Sequence, residues 1–233
     1  MRVALLISGR LKCYETCLIP ILQKAPYDID LFCSINDNES SYYDDVRRKL
    51  KLWLKGIEVK PFFLSDRFNE IFVNRHTNLP EPKPYNGMSM FYNDGNGFNM
   101  AIDYADKNSF EYDVYMKCRP DMIVDSLPKV TITDQYKIFS VIPWCNHESP
   151  VVTRDPVGYG DMVPWVSDVL VYGNKKSMRA YTDSYNFAME MLELFEGRYG
   201  CDFEPTVTQN VYDKSLEVEY FSNPYTLDPT RHQ

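Results

Sequence analysis

The sequence predicts an α/β protein with a mostly parallel central sheet, flanked by helices and carrying one late antiparallel addition. Three observations carry this expectation. Short apolar runs rich in β-branched and aromatic residues recur at 2–7, 30–34, 57–64 and 114–116. Segments with helical spacing lie between them, which is how parallel strands are joined. After residue 125 the strand-like runs shorten, which signals a mixed second half.

The elements follow in order. Strand 2–7 ends at Ser8-Gly9-Arg10, and a helical stretch follows with apolar positions at Leu11, Tyr14, Leu18 and Leu22. Pro20 interrupts that stretch or ends its regular part. Strand 30–34 runs into Ile35-Asn36-Asp37. Residues 42–55 read as a charged amphipathic helix with Val46, Leu50, Trp53 and Leu54 inward and Gly56 as C-cap. Strand 57–64 comes next, and helical signal returns over 66–73. Pro80, Pro82 and Pro84 mark 78–86 as an exposed loop of the kind that serves as a flap. A helix is predicted over 89–105. Gly95 and Gly97 weaken it, so the backbone there either approaches a ligand or packs closely on the sheet. Strands 137–142 and 167–172 flank a long aromatic, Gly- and Pro-rich segment, 143–164. A helix over 174–197, with Met178, Tyr181, Tyr185, Ala188, Met189 and Leu192 inward, precedes a short helix at 205–214. A strand at 216–221 and a tail, 222–233, close the chain.

Composition narrows the function. A chain of 233 residues with 44% hydrophobic content has ample material for a core. A formal net charge of −8 argues against a duplex nucleic-acid partner, which needs a basic face, and leaves room for a local basic pocket. Six cysteines (Cys13, Cys17, Cys33, Cys118, Cys145, Cys201) form no CxxC pair and read as reduced thiols, several of them packed in apolar runs. The first apolar run is too short for a signal sequence, and none approaches the roughly 20 residues of a membrane span. The expected setting is cytoplasmic. His76, His147 and His232 show no paired zinc spacing, and no P-loop, GxGxxG or GxSxG motif occurs.

The segment 112–125, YDVYMKCRPDMIVD, carries the strongest chemical signal. A buried strand that ends in charged residues is a poor packing choice, and open α/β sheets bind ligands at the carboxyl ends of their strands. Asp121 suits a hard divalent cation such as Mn²⁺ or Mg²⁺, and Arg119 suits bidentate contact with phosphate; a surface ion pair is the plain alternative. Gly9, between Ser8 and Arg10, lets backbone N–H groups approach an anion or a base edge, or simply makes a turn. Asp168 opens a strand at the sheet rim and could serve as a base or hold a sugar hydroxyl, or form a turn. Glu204 begins a short helix, where the helix dipole alone favours it. Trp144, Tyr159 and Trp165 would suit stacking on a sugar.

Four blocks then match a family in order: LLISGRL at the start, YDVYMKCRPDMIV, SDVLVYGNKKSMRAY and EPTVTQNVYDKSLEVEY. Together they resemble small GT-A-fold nucleotide-sugar glycosyltransferases, whose relatives occur in large algal viruses and in bacterial polysaccharide and lipopolysaccharide clusters. The resemblance implies a single GT-A domain over 1–233, with 1–125 binding the nucleotide sugar and 126–233 on the acceptor side. It implies a UDP- or GDP-sugar donor and a glycan or other hydroxyl acceptor, in the host cytoplasm if the protein is viral. Ser8, Gly9 and Arg10 would contact the base or ribose with Asn36 nearby, and the segment Asn93-Asp94-Gly95-Asn96-Gly97, Asn96 included, would lie beside the diphosphate or donor sugar. The usual Asp-x-Asp metal motif is here Arg119-Pro120-Asp121. Asp121 is then the remaining ligand for Mn²⁺ or Mg²⁺, and Arg119 neutralises phosphate directly. Asp168 falls where such enzymes touch the donor sugar and Glu204 where several place an acceptor-side carboxylate, so either is a candidate catalytic base. Two other functions stay open: a nucleotidyltransferase making nucleotide sugars, and an inactive carbohydrate-binding module.

Overall fold

The structure, a computed structural model, describes residues 1–36, 40–63, 65–66, 83–130, 134–141, 152–153, 162–163, 166–194 and 203–228. All but the first residue of the expected helix 66–73, most of loop 78–86 and most of segment 143–164 fall outside these residues. So do His76, Trp144, Cys145, His147, Tyr159, Trp165, Cys201 and His232.

The first half is a run of parallel strands. β1 (Arg2–Ser8) pairs with β2 (Asp28–Ile35), which pairs with β3 (Leu54–Val59). A π-helical turn at Tyr14–Leu18 and α1 (Ile19–Lys24) join β1 to β2; α2 (Ser40–Leu50) joins β2 to β3. The chain then crosses to the other side of β1 through α3 (Lys83–Lys107) and lays β4 (Val114–Cys118) parallel to β1. After β5 (Met122–Val124) and β6 (Lys137–Val141) come the two-residue strands β7 (Val152–Thr153) and β8 (Met162–Val163), paired with each other. β9 (Leu170–Gly173), α4 (Lys175–Thr182), α5 (Ser184–Leu194), α6 (Phe203–Asp213), β10 (Glu217–Phe221) and β11 (Tyr225–Leu227) follow.

Seven strands make one sheet in the order β10-β6-β9-β4-β1-β2-β3. β9 runs antiparallel to both its neighbours, β4 and β6, and every other adjacent pair in this sheet is parallel. The fold class is therefore α/β with a mostly parallel sheet, as the sequence predicts, and the antiparallel strand sits inside the sheet. β5 and β11 form a small antiparallel sheet of their own.

Alternation along the strands builds two cores. Val3, Leu5 and Ile7 of β1, with Met116 and Cys118 of β4, pack under α1 and α2. Ala4, Leu6 and Phe32 face α3, while Val171 and Met178 join that second core with residues of α5 and α6. Both sheet faces are covered, so β1, β2 and β4 are buried almost throughout.

Several local expectations change. Gly56 is no helix cap: α2 stops at Leu50 and Gly56 lies within β3, opposite Phe32 of β2. A Cβ there would stand 3.0 Å from the Phe32 ring, so the glycine makes room for an aromatic neighbour. Strand 57–64 starts earlier and ends at Val59. Pro20 opens a helix, near the first turn of α1 where its missing N–H is harmless. Residues 83–86 of the expected loop belong to α3. Helix 174–197 is two helices, broken at Asp183. The hydroxyls of Thr182 and Ser184 turn back to the carbonyls of Met178 and Tyr181, competing with the helix ladder. Part of the tail is ordered as β11 against β5.

Candidate functional site

β1 is the point where the strand order reverses. The chain builds outward from it to β2 and β3, then returns to add β4 on its other side. In open α/β sheets the crevice outside the carboxyl ends at such a switch point is where ligands bind. Here those ends carry Ser8 and Gly9 after β1, Asn36 after β2, and Lys117 to Asp121 at and beyond β4.

The residues at these ends are built in by alternation. Ser8 and Ser34 continue the faces of Leu6 and Phe32 toward α3. The Ser34 hydroxyl donates to Asn93 Oδ1 of α3 at 2.8 Å. Lys117 follows Tyr115 on the same face and is fully buried. Beneath the helix lies Asp94, 2% exposed, with neither carboxylate oxygen in a hydrogen bond of good geometry. Burial pushes the Asp94 carboxyl up from its ordinary value; the positive charge of Lys117 and the nearby Ser8 hydroxyl oppose this, and Asp168 adds to it. Ser8 Oγ and Asn36 Oδ1 are likewise buried without a hydrogen bond. Buried polar atoms left without partners are uncommon, and Ser8 and Asn36 at adjoining strand ends, with Asp94 on the helix above them, make this region the place to look for a ligand.

Beyond β4 an ion-pair network forms. Arg119 Nε and Nη2 donate to the two oxygens of Asp121, each at 2.9 Å, and Nη1 donates to Asp168 Oδ2 at 2.7 Å. The side chains are 25%, 10% and 12% exposed for Arg119, Asp121 and Asp168. Burial works against the charged guanidinium, but the hydrogen bonds and charges of the two carboxylates outweigh it and hold Arg119 firmly protonated.

The antiparallel direction of β9 explains how Asp168 arrives here. Cys118 pairs with Leu170, and the ladder continues through the Arg119 N–H to the Val169 carbonyl at 2.9 Å. Asp168, two residues before β9, therefore lies at the carboxyl end of β4. Its backbone is held from all sides: Ser167 N donates to Ser140 Oγ, Val169 N to Ser167 Oγ, the Tyr181 hydroxyl to the Ser167 carbonyl, and Lys117 Nζ to the Asp168 carbonyl. A carboxylate fixed in this way is preorganised for chemistry.

Of the residues singled out from sequence, Ser8, Gly9 and Asn36 lie at the carboxyl ends of β1 and β2, and Arg119, Asp121 and Asp168 form one cluster beyond β4. Gly9 has φ +98, a conformation that favours glycine, and a Cβ there would meet open space. Arg10 is exposed beside it. Glu204 occupies the first turn of α6. Asn96 goes elsewhere. Asn93 and Asp94 face the sheet, whereas Asn96 lines a pocket on the outer side of α3, against α4 and α5. A Cβ added at Gly95 would stand 3.2 Å from the Thr182 carbonyl, so close helix packing accounts for that glycine, whereas one at Gly97 would meet Leu6 at an ordinary 3.8 Å. Asn93 and Asp94 are the residues of segment 93–97 that turn to the sheet; Lys117 and Asp228 had no role of their own in the sequence reading. Asp228 N donates to the Asp121 carbonyl at 2.9 Å, and its carboxylate accepts from Thr16 Oγ1 at 3.2 Å. The signal for Asp94 and Lys117 was a charge inside an apolar pattern, on α3 and on β4 respectively.

Among the described residues the donor set at this cluster does not suit a resident divalent cation. Among the described residues no group of three or more His, Cys, Asp or Glu side chains could hold one. Asp121, the ligand expected from sequence, has both oxygens on Arg119, so a cation would stand against a guanidinium. The buried cysteines Cys13, Cys17, Cys33 and Cys118 are free thiols, and burial pushes Cys118 up to about 12.

No protein-family model matches the chain, and no curated protein sequence is significantly similar to it. Among the described residues no helix is long and apolar enough to cross a membrane.

Proposed function

We propose that the protein is a glycosyltransferase that takes a sugar from a UDP- or GDP-sugar and transfers it to a glycan or other hydroxyl acceptor. The observation that carries this reading is the charged cluster Lys117, Arg119, Asp121 and Asp168 beside unpartnered Ser8, Asn36 and Asp94, at the switch point of a mostly parallel sheet. Three of the four sequence blocks that resemble GT-A enzymes contain Ser8, Lys117, Arg119, Asp121 and Asp168 of this set.

Each residue has work in such a reaction. Ser8, Asn36 and the backbone at Gly9 offer hydrogen bonds to the nucleoside. Arg119 keeps two N–H groups beyond the three it uses, and these suit oxygens of the donor diphosphate as negative charge grows on the leaving group. Lys117 adds a fixed positive charge behind it. Asp168, which accepts from Arg119 and has its backbone firmly held, is the first candidate to take the proton of the acceptor hydroxyl as it attacks the anomeric carbon; Glu204 is the second.

The test is calorimetric titration with UDP-, GDP- and TDP-sugars in Mn²⁺ or in EDTA, followed by assay of nucleotide diphosphate release. Saturable binding with release or transfer supports the reading. Pyrophosphate formation would point to a nucleotidyltransferase, binding without turnover to an inactive module, and absence of all nucleotide-sugar binding overturns the proposal.

A further inference from the structure

The pocket that takes Asn96 away from the strand ends has a chemistry of its own. It is an opening of ≈ 420 Å³ between α3, α4 and α5, within the roughly 300–1,000 Å³ range of small-ligand sites. Asn96 and Asn99 project from a different face of α3 than Asn93 and Asp94, so the pocket's polar lining is turned away from the strand-end cluster.

Its lining combines two kinds of group. Tyr92 and Tyr185 stand edge to face, with ring centroids 5.7 Å apart, and both are partly exposed. Three carboxamides, Asn96, Asn99 and Asn186, surround them. Arg179 and Asp183 add one charge of each sign. Asn186 Nδ2 is oriented by a 2.6 Å bond to Asp183 Oδ1, which leaves its carbonyl oxygen facing away as an acceptor. Gly95 forms part of the lining where α3 closes on the Thr182 carbonyl.

This combination selects a ligand class. The charges cancel, so a polyanion gains little. An apolar ligand would desolvate the amides of Asn96 and Asn99 and the free carbonyl oxygen of Asn186, at a cost of about 1–3 kcal/mol for each group. A neutral saccharide meets both demands: its C–H faces lie on aromatic rings, and its paired hydroxyls match planar amides that donate and accept at once.

We infer that this pocket is a second saccharide site, distinct from the strand-end cluster, that holds a neutral stretch of the acceptor glycan. The inference extends the glycosyltransferase reading. A polymeric acceptor docked there keeps its growing end at high effective concentration near the reacting centre, without any new contact at that centre.

The experiment is saturation-transfer difference NMR with four neutral hexasaccharides: β1,4-linked glucose, mannose and N-acetylglucosamine, and α1,4-linked glucose. At least one is expected to bind, with amide shift changes centred on residues 92–99 and 182–186. The exposed pair Asn99→Ala and Asn186→Ala, checked for folding by circular dichroism, should weaken it fivefold or more. No binding by any of the four, shift changes confined to other residues, or unchanged affinity in the folded double variant would overturn the inference. Nucleotide-sugar binding by the wild-type protein reports separately on the strand-end site, so failure of one reading is distinguishable from failure of the other.

Discussion

Arg119 grips Asp121 in a two-pronged hydrogen bond, Nε and Nη2 each 2.9 Å from a different carboxylate oxygen. The third arm of the same guanidinium reaches Asp168. The residue pair at the centre of the candidate site is thus already an ion pair, and replacing Arg119 disturbs both carboxylates at once. Arg119→Ala is expected to cost about 3–5 kcal/mol, the usual effect of leaving buried charges unpaired. Arg119→Lys should cost less yet still lose the planar fork. Urea unfolding at pH 7 measures both; a loss below about 1 kcal/mol in Arg119→Ala would mean that the network contributes little.

Asp94 gives a pH signature. Its carboxyl is held above its ordinary value in the folded protein, so between the unfolded and folded values the native state keeps a proton that the unfolded chain has released. Stability from this group therefore falls as pH rises above about 4. Asp94→Asn removes that loss. Relative to wild type, the variant should gain stability between pH 4 and pH 7, read from denaturation midpoints across the series. Parallel curves for the two proteins would contradict the shift.

Three glycines separate backbone strain from packing. Gly9→Ala forces a side chain into φ +98 with open space around it, so the loss is purely conformational, about 1–2 kcal/mol. Gly97→Ala places a methyl at ordinary contact distance from Leu6 and should stabilise α3 by about 0.5–1 kcal/mol. Gly95→Ala brings its methyl to 3.2 Å from the Thr182 carbonyl, and that closeness should cancel the helix gain. Thermal unfolding of the three variants checks the ranking.

Much of this was legible in the chain and some was not, for identifiable reasons. The strands that the sequence places at 2–7, 30–34 and 114–116 are buried on both faces, and such strands announce themselves as continuous apolar runs. Arg119, Asp121 and Asp168 could be singled out because each closes or opens such a run. That Arg119 bonds to both carboxylates could not be read, because it depends on β9 running antiparallel beside β4. Gly56 looked like a cap because glycine after a helical pattern usually is one; its place opposite Phe32 is set by a strand neighbour distant in sequence. Asp94 sat among Asn93 and Gly95 in a segment whose spacing was helical. Which of those polar residues faced the sheet became clear only from the packing of α3.

Kinetics should divide the two candidate bases. Asp168→Asn is expected to lower kcat by about 10²–10⁴-fold with a smaller change in KM, the pattern for a group that acts in the transition state. Glu204→Gln should show the same pattern only if Glu204 is the base. Full turnover in both variants would remove proton abstraction by either residue.

The most direct measurement is calorimetric titration of the wild-type protein and Arg119→Lys with UDP- and GDP-sugars, in EDTA and again in Mn²⁺. The account expects saturable binding of one nucleotide sugar by the wild type, weakened at least tenfold in Arg119→Lys. No binding by the wild type in either buffer, or equal affinity in the two proteins, would contradict it.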